Sequence, residues 1–152
     1  MALSDVEWDM VLKAWAPVEA DAAGHGAEVL TRLFKAHSGT QLLFPKFRSL
    51  TAGELVGNEE LAAHGSIVVK KLGEMLKRRG KHADVLRPLA QTHVHTHKIP
   101  PDNFKHISGI FVQLMKEKVS GFGADSEAAM NKALAAVVSD MGTLYKELGF
   151  AG

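Results

Sequence analysis

The sequence predicts an all-α protein. Apolar residues recur at i, i+3, i+4 and i+7 along most of the 152 residues, which is typical of amphipathic helices. The alternation of apolar and polar residues that indicates strands is absent from the sequence, and the length suits one domain spanning residues 1–152. The six main apolar stripes, in chain order, cover residues 8–18, 29–34, 61–76, 86–90, 104–114 and 130–148.

The first helix has a clear start and an interrupted end. Ser4 followed by Glu7 is a capping-box pattern, in which each side chain can accept a hydrogen bond from the other residue's backbone N–H. Pro17 lies inside the same stripe and has no backbone N–H. It therefore predicts that this helix kinks or ends early.

Four glycines lie within the second and third helices. Gly24 and Gly26 are on the second helix, and Gly65 and Gly73 are on the third. Their spacing matches no phosphate-binding loop. We therefore expect them to mark places where two helices approach closely.

Residues 37–58 form a long connection between these two helices. A connection of that length is either functional or contains short helical turns. Thr51 with Glu54 could cap one such turn, and Asn58 is the predicted N-cap of the third main helix.

The later helices carry stop signals. Gly80 and Gly149 occupy the positions just past a helix end that glycine favours. Pro100 and Pro101 must end the helix that spans residues 84–97, because neither can continue it.

Composition and charge exclude several classes of protein. The chain has no Cys, which excludes a disulfide scaffold, a thiolate zinc site and a cysteine nucleophile. The net charge of +1 indicates neither nucleic-acid nor membrane binding, and the basic residues between 70 and 81 resemble the solvated face of a helix. No apolar run approaches the ~20 residues of a membrane span, and residues 1–20 contain no leader pattern. We therefore expect an intracellular, cytoplasmic protein.

Two of the eight histidines lie on inward-facing stripes. His64 shares a face with Val68, and His93 shares one with Leu89. Either one alone is most simply a buried, hydrogen-bonded core imidazole. Two such histidines on separate long helices predict opposite walls of one pocket. Such a pocket suits a flat apolar cofactor such as haem, whose iron takes one proximal His.

Other chemistries fit the sequence less well. A closed zinc site needs four ligands, although His93 and His97 have a spacing that can chelate zinc on one helix face. No Glu follows His93, so the pattern of zinc proteases is missing. Neither a G-x-S-x-G segment nor an acid pair tied to a nucleophile is found, so the sequence does not predict a dedicated enzyme.

The whole chain resembles the globin family, in particular its vertebrate muscle branch. The resemblance is near-verbatim in residues 86–93, 97–100, 122–125, 129–134 and 145–150. It implies the globin fold, with about eight helices around a haem pocket, and haem b (iron protoporphyrin IX) as cofactor. It also implies reversible binding of O₂ for storage and facilitated diffusion in muscle, with CO and NO as further ligands. A monomer in the sarcoplasm and side activities in nitrite reduction to NO and peroxidase-like turnover are implied as well.

Site residues follow from the same resemblance by position. His93 matches the proximal iron ligand, the Leu89 carbonyl and the Thr92 hydroxyl match the groups that orient it, and His64 matches the distal His that donates a hydrogen bond to O₂. His97 and Lys46 match residues near the haem propionates. The remaining matches are to positions that line the haem pocket: Phe44, Val68, Leu30, Ile99, Phe104, Ile107 and Phe111.

Two questions stay open at this point. The chain is one residue shorter than the family pattern between Phe47 and Leu61, so the short helix near residues 51–57 could be frayed or displaced. His64 and His93 could also both ligate iron, which would make this a bis-His haem protein for electron transfer, and a helical protein without cofactor is the simplest alternative. The other five histidines have no predicted contact with iron: His25, His37, His82, His95 and His106.

Overall fold

The computed structural model describes residues 3–97 and 99–149, without the side chains of residues 96 and 97. The described residues form helices and connecting turns and contain no strand. All six predicted main helices are confirmed. In chain order, the elements are α1 (Asp5–Ala20), α2 (Ala22–Ala36), a 3-10 segment (Ser38–Leu43), α3 (Ala52–Leu55), α4 (Glu59–Lys77), α5 (Ala83–Gln91), a π-helical turn (Thr92–His97), α6 (Asp102–Lys118) and α7 (Ala124–Glu147).

Helix α1 starts as predicted but does not end early. The Ser4 hydroxyl accepts a bond from the Glu7 N–H at 3.1 Å, and the Glu7 carboxylate accepts one from the Ser4 N–H at 2.9 Å. Pro17 lies inside the helix, which continues to Ala20. Trp15 and Val18, on either side of the proline, are both fully buried. Their packing offsets the lost backbone bond, which costs about 3 kcal/mol in an isolated helix.

The predicted caps of α3 and α4 are also formed. The Glu54 carboxylate accepts a bond from the Thr51 N–H at 2.9 Å, and the Thr51 hydroxyl accepts one from the Glu54 N–H at 3.2 Å. The short helix therefore does form, over four residues. The Asn58 side chain accepts a bond from the Leu61 N–H at 2.9 Å and caps α4.

The end of α4 differs from the prediction in the residue that directly follows the helix cap. Gly80 has the expected positive φ of 92°, but the residue just past the cap is Arg79, whose own φ is 51°. The Arg79 guanidinium donates to the Asp9 carboxylate at 3.1 Å and to the Asp5 carbonyl at 3.2 Å on α1. These contacts hold a side chain at a backbone conformation that glycine would otherwise favour. Gly149, with φ of 76°, ends α7 as predicted.

The basic segment 70–81 lies on a solvent-facing surface, as predicted. Most of the charged side chains in this segment are exposed. Several pair with carboxylates of α1 or α4: Lys71 with Glu74, Lys77 with Glu19, and Arg79 with Asp5 and Asp9. Paired exposed charges of this kind contribute little stability.

Three hydrophobic clusters form the core. The first joins α1, α2, α4, α6 and α7 around Trp15 and Phe111, whose ring centroids are 5.3 Å apart. The second joins the end of α4, α5 and α7 around Leu86. The third joins α2, α3 and the start of α4 around Phe34 and Phe47. None of the helices described by the structure is long and apolar enough to cross a membrane.

Helices α2 and α4 touch at the backbone. A Cβ built on Gly26 would lie 2.2 Å from the carbonyl carbon of Gly65, and one built on Gly65 would lie 2.3 Å from that of Gly26. Of the four predicted glycines, these two therefore form the close approach between helices. Gly73 instead makes room for the side chains of Glu19 and Trp15 from α1, and Gly24 for that of Asp21 on its own helix.

The helix that carries His93 changes from an α-helix to a π-helical turn before it ends. The α-helical part stops at Gln91, and a π-helical turn continues to His97, ahead of the two prolines. The Ile99 N–H bonds to the His93 carbonyl at 3.0 Å and closes this turn. His93 thus lies where the chain changes helix type.

Candidate cofactor pocket

One ring nitrogen of His93 is committed to its own helix. Its Nδ1 lies 2.8 Å from the Leu89 carbonyl oxygen, one turn earlier. Because a carbonyl can only accept, Nδ1 carries the proton, and in the neutral ring the lone pair is on Nε2. The ring is half-buried, and Phe104 on α6 packs against it at 5.4 Å between centroids. In this tautomer Nε2 is the ring nitrogen with the lone pair that a metal ion requires.

The Thr92 hydroxyl has a different partner from the one that the resemblance implies. It donates to the Pro88 carbonyl at 3.0 Å, within its own helix, and the residue is exposed. The orienting bond to His93 that the structure describes is therefore that of the Leu89 carbonyl.

His64 lies on α4 beside an aromatic wall formed by the rings of Phe44 and Phe47. The Phe44 ring meets it edge to face, with centroids 5.3 Å apart and an angle of 90°, and the Phe47 ring lies at 6.1 Å and 75°. Both arrangements are favourable aromatic contacts. The resemblance implied Phe44 as a pocket residue but not Phe47, although the two flank Pro45 and Lys46 in one short segment. His64 precedes Gly65 on α4, so the close approach of the two helices also determines how far His64 lies from α2.

Four of the predicted lining residues, together with Leu89, are only partly buried. They lie at the edges of the hydrophobic clusters and not at their centres. Val68 borders the first cluster, Ile107 the first and third, Leu89 and Phe104 the second, and Phe44 the third. Apolar surface from all three clusters is therefore left incompletely covered by the protein's own side chains.

This surface fits the predicted cofactor. Covering apolar area gains roughly 25 cal/mol per Å², and a flat porphyrin has two apolar faces to offer. His93 adds one nitrogen ligand with a defined tautomer, which suits a haem iron. Two of the predicted pocket residues, Leu30 and Phe111, are completely buried in the clusters, and Ile99 is buried at 9% exposure. Leu30 and Phe111 therefore belong to the packed core and not to its incompletely covered edge.

The edge of the predicted site is only partly described. Lys46 is exposed, as a partner for a propionate would be. The side chain of His97 lies outside the described residues. Among the side chains that the structure describes, no three of His, Cys, Asp and Glu come together to hold a metal ion.

Tyr145 supports the His93 side of the pocket from α7. Its hydroxyl donates to the Ile99 carbonyl at 2.7 Å, and its ring meets that of Phe104 at 5.8 Å and 87°. Phe104 in turn contacts His93. Burial raises the pKa of the Tyr145 hydroxyl to about 12. In the sequence, Tyr145 is only one member of the last apolar stripe, residues 130–148.

The pKa of Tyr145 predicts how the protein behaves at high pH. It is the only tyrosine, so ring-¹³C-tyrosine NMR reports on it alone. We expect its midpoint near pH 12, against about 10 in the urea-unfolded chain. Because the folded pKa is the higher one, its contribution to stability is complete below pH 10 and is lost as the pH rises through 12. A midpoint near 10 in the folded protein would contradict the burial of the Tyr145 hydroxyl. In Tyr145→Phe, the fall in stability between pH 10 and 12 should shrink.

Comparison with known proteins agrees with this architecture. Residues 27–141 match the globin family model. The chain is 51% identical over 146 residues to a myoglobin of Sarda chiliensis, covering 96% of this chain and 99% of that protein. It is 52% identical over 144 residues to a myoglobin of Cyprinus carpio (95% and 97% covered) and 49% identical over 144 residues to one of Danio rerio (95% and 97%).

Proposed function

This chain belongs to the globin family, among the vertebrate myoglobins, and we propose that it stores dioxygen by binding it reversibly at a haem iron held by His93. The cofactor is haem b, as the family implies. The resemblance drawn from the sequence is thereby confirmed. The single observation that carries the ligand assignment is the bond from His93 Nδ1 to the Leu89 carbonyl.

The two histidines have separate roles in this proposal. Haem b would supply, when bound, a ferrous iron that takes a diatomic ligand reversibly. His93 would hold this iron through Nε2, and the Leu89 carbonyl keeps the imidazole from rotating. His64 donates a hydrogen bond to dioxygen from the opposite wall. Its contacts with Phe44 and Phe47 support this role, since they limit how far the ring can swing.

The apolar residues keep the pocket dry. Val68, Phe44, Ile107 and Phe104 line it with hydrocarbon, which excludes water from the ligand position. Without water, the hydrogen bond from His64 acts in a low-dielectric environment and is stronger. A dry pocket would also protect a bound ferrous iron from oxidation.

Several finer assignments belong to the same proposal. His97 and Lys46 lie near the propionates, and Leu89 and Ile99 complete the lining. CO and NO bind at the position of dioxygen, and the protein acts as a monomer in the sarcoplasm of muscle. Nitrite reduction to NO and peroxidase-like turnover are its side activities.

The role of His64 is tested by replacement. We expect His64→Val to weaken O₂ binding roughly 10–150-fold, the equivalent of a charge-assisted hydrogen bond of ~1.5–3 kcal/mol, and to speed oxidation of the iron. CO affinity should change less, because CO gains less from a donor. O₂ affinity is measured by stopped flow and flash photolysis. His64→Gln is the matched control, since its amide keeps an N–H donor and should retain part of the affinity. Unchanged O₂ affinity in His64→Val would refute the hydrogen bond.

The absorbance spectrum of the reduced protein tests the proposal as a whole. A five-coordinate ferrous spectrum that changes on addition of O₂ is expected. A six-coordinate low-spin spectrum without added ligand would favour the bis-His electron-transfer protein, and a colourless product would exclude haem.

A further inference from the structure

The side chain of Gln41 joins two segments next to the pocket. Gln41 belongs to the 3-10 segment and is half-buried. Its amide Nε2 donates to the Phe47 carbonyl at 2.6 Å and to the Leu50 carbonyl at 2.9 Å. Both partners can only accept, so the two protons of the amide group are both used. The side chain therefore ties the 3-10 segment to the loop of residues 44–50.

That loop carries the aromatic wall. The N–H groups of Phe47 and Arg48 both bond to the Phe44 carbonyl at 2.9 Å, which makes residues 44–48 one compact turn. Phe47 is 2% exposed, and its ring and that of Phe44 both contact His64. A shift of this turn therefore moves both rings that confine His64.

Few other polar contacts hold the loop. Among the side-chain hydrogen bonds that the structure describes, the two from Gln41 are those that reach residues 44–50. Further support comes from backbone bonds, such as the one from the Phe44 N–H to the Gln41 carbonyl at 3.1 Å, and from apolar packing in the third cluster. In that cluster the Phe34 ring on α2 lies 5.2 Å from Phe44 and 6.3 Å from Phe47. Apolar packing of rings tolerates sliding, whereas two hydrogen bonds to fixed carbonyls specify a register.

We propose that Gln41 is a positioning residue for His64. Its amide pins the turn that carries Phe44 and Phe47, and these rings hold the distal imidazole over the ligand position. Gln41 thereby controls how readily the His64 side of the pocket opens to ligands and water. This inference deepens the proposed function and depends on it for its ligand readout.

The neighbouring Thr40 supplies a matched control. It lies in the same 3-10 segment and is 5% exposed, and its hydroxyl donates to the His37 carbonyl at 2.7 Å. This bond anchors the segment back to the end of α2 and makes no contact with the loop. Thr40→Val removes a hydrogen bond in the same segment, whereas Gln41→Met removes the two to the loop and keeps the length of the side chain.

The test compares the two variants with the unmodified holoprotein. Amide hydrogen exchange is followed at Phe47, Arg48 and Leu50, and the rate of CO association is measured by flash photolysis. For Gln41→Met we expect exchange at these amides at least tenfold faster and a CO association rate raised several-fold. For Thr40→Val we expect a lower unfolding midpoint, with both other quantities within twofold of the unmodified protein.

The remaining outcomes overturn the proposal. Unchanged exchange in Gln41→Met would show that the amide does not pin the turn. Faster exchange with an unchanged CO rate would show that it stabilises the loop without positioning His64. Equal effects in Thr40→Val would assign the change to the segment as a whole. If the unmodified protein took up no haem, the proposed function itself would fail, and the exchange data would still decide whether Gln41 pins the loop.

Discussion

His93→Gly is expected to lower the affinity for haem more than 100-fold, so that the variant is purified largely without cofactor. Removing a group that only orients a metal ligand typically costs 10–100-fold, and loss of the ligand itself must cost more. Added imidazole should enter the space left by the side chain and restore binding, because the apolar surfaces that contact the porphyrin are unchanged. Haem content is measured from the absorbance per polypeptide, before and after addition of imidazole.

His95→Gly controls for the backbone effect of glycine. His95 lies in the same π-helical turn, two residues further on, and is exposed. This variant should keep its full haem content. If His93→Gly also kept haem without imidazole, His93 would not be the axial ligand. If imidazole failed to restore binding while the variant remained folded, the pocket itself would depend on the His93 ring.

Gly65→Ala is expected to cost about 3 kcal/mol of the free energy of unfolding, the upper end of the range for overpacking. The added Cβ would lie 2.3 Å from the carbonyl carbon of Gly26 and 2.6 Å from the nitrogen of Ala27. Both are backbone atoms, so no side-chain rotation can relieve the contact and α2 and α4 must separate. Urea denaturation of the haem-free and haem-loaded proteins measures the loss.

Gly142→Ala is the matched control for this variant. It also lies within a helix, α7, and no atom comes within 4 Å of a Cβ built there. Alanine should therefore stabilise the protein by about 0.5–1 kcal/mol, through helix propensity alone. A change within about 0.5 kcal/mol in Gly65→Ala, as for a neutral surface substitution, would show that the two helices do not touch. Because His64 is the next residue, we also expect Gly65→Ala to alter ligand binding.

Much of the fold is predictable because its signals are local. Apolar periodicity depends on the residues of one segment, and it located all six main helices. The caps at Ser4, Thr51 and Asn58 depend on residues three positions away, and each is formed as predicted. The prediction for Pro17 was wrong about an early end, because burial of its neighbours, which is a tertiary effect, outweighs the local cost of the proline.

The candidate site was predicted in part for the same reason. His64 and His93 could be selected because each lies on an inward stripe of its own helix. Phe47 and Gln41 lie in a connection without periodicity, so nothing local reveals that one contacts His64 and the other holds the loop. The resemblance likewise implied that the Thr92 hydroxyl orients His93, whereas in the structure this hydroxyl donates a hydrogen bond to the Pro88 carbonyl.

Spacing along short stretches of chain was thus enough to predict the helices, their inward faces and the two histidines. Which distant segments meet became visible only in the folded protein: Gly26 with Gly65, Tyr145 with Ile99, and the aromatic wall with His64. Periodicity defines the direction in which a side chain points but not what lies there. Partners far apart in the chain are chosen by the packing of whole helices, which no single segment encodes.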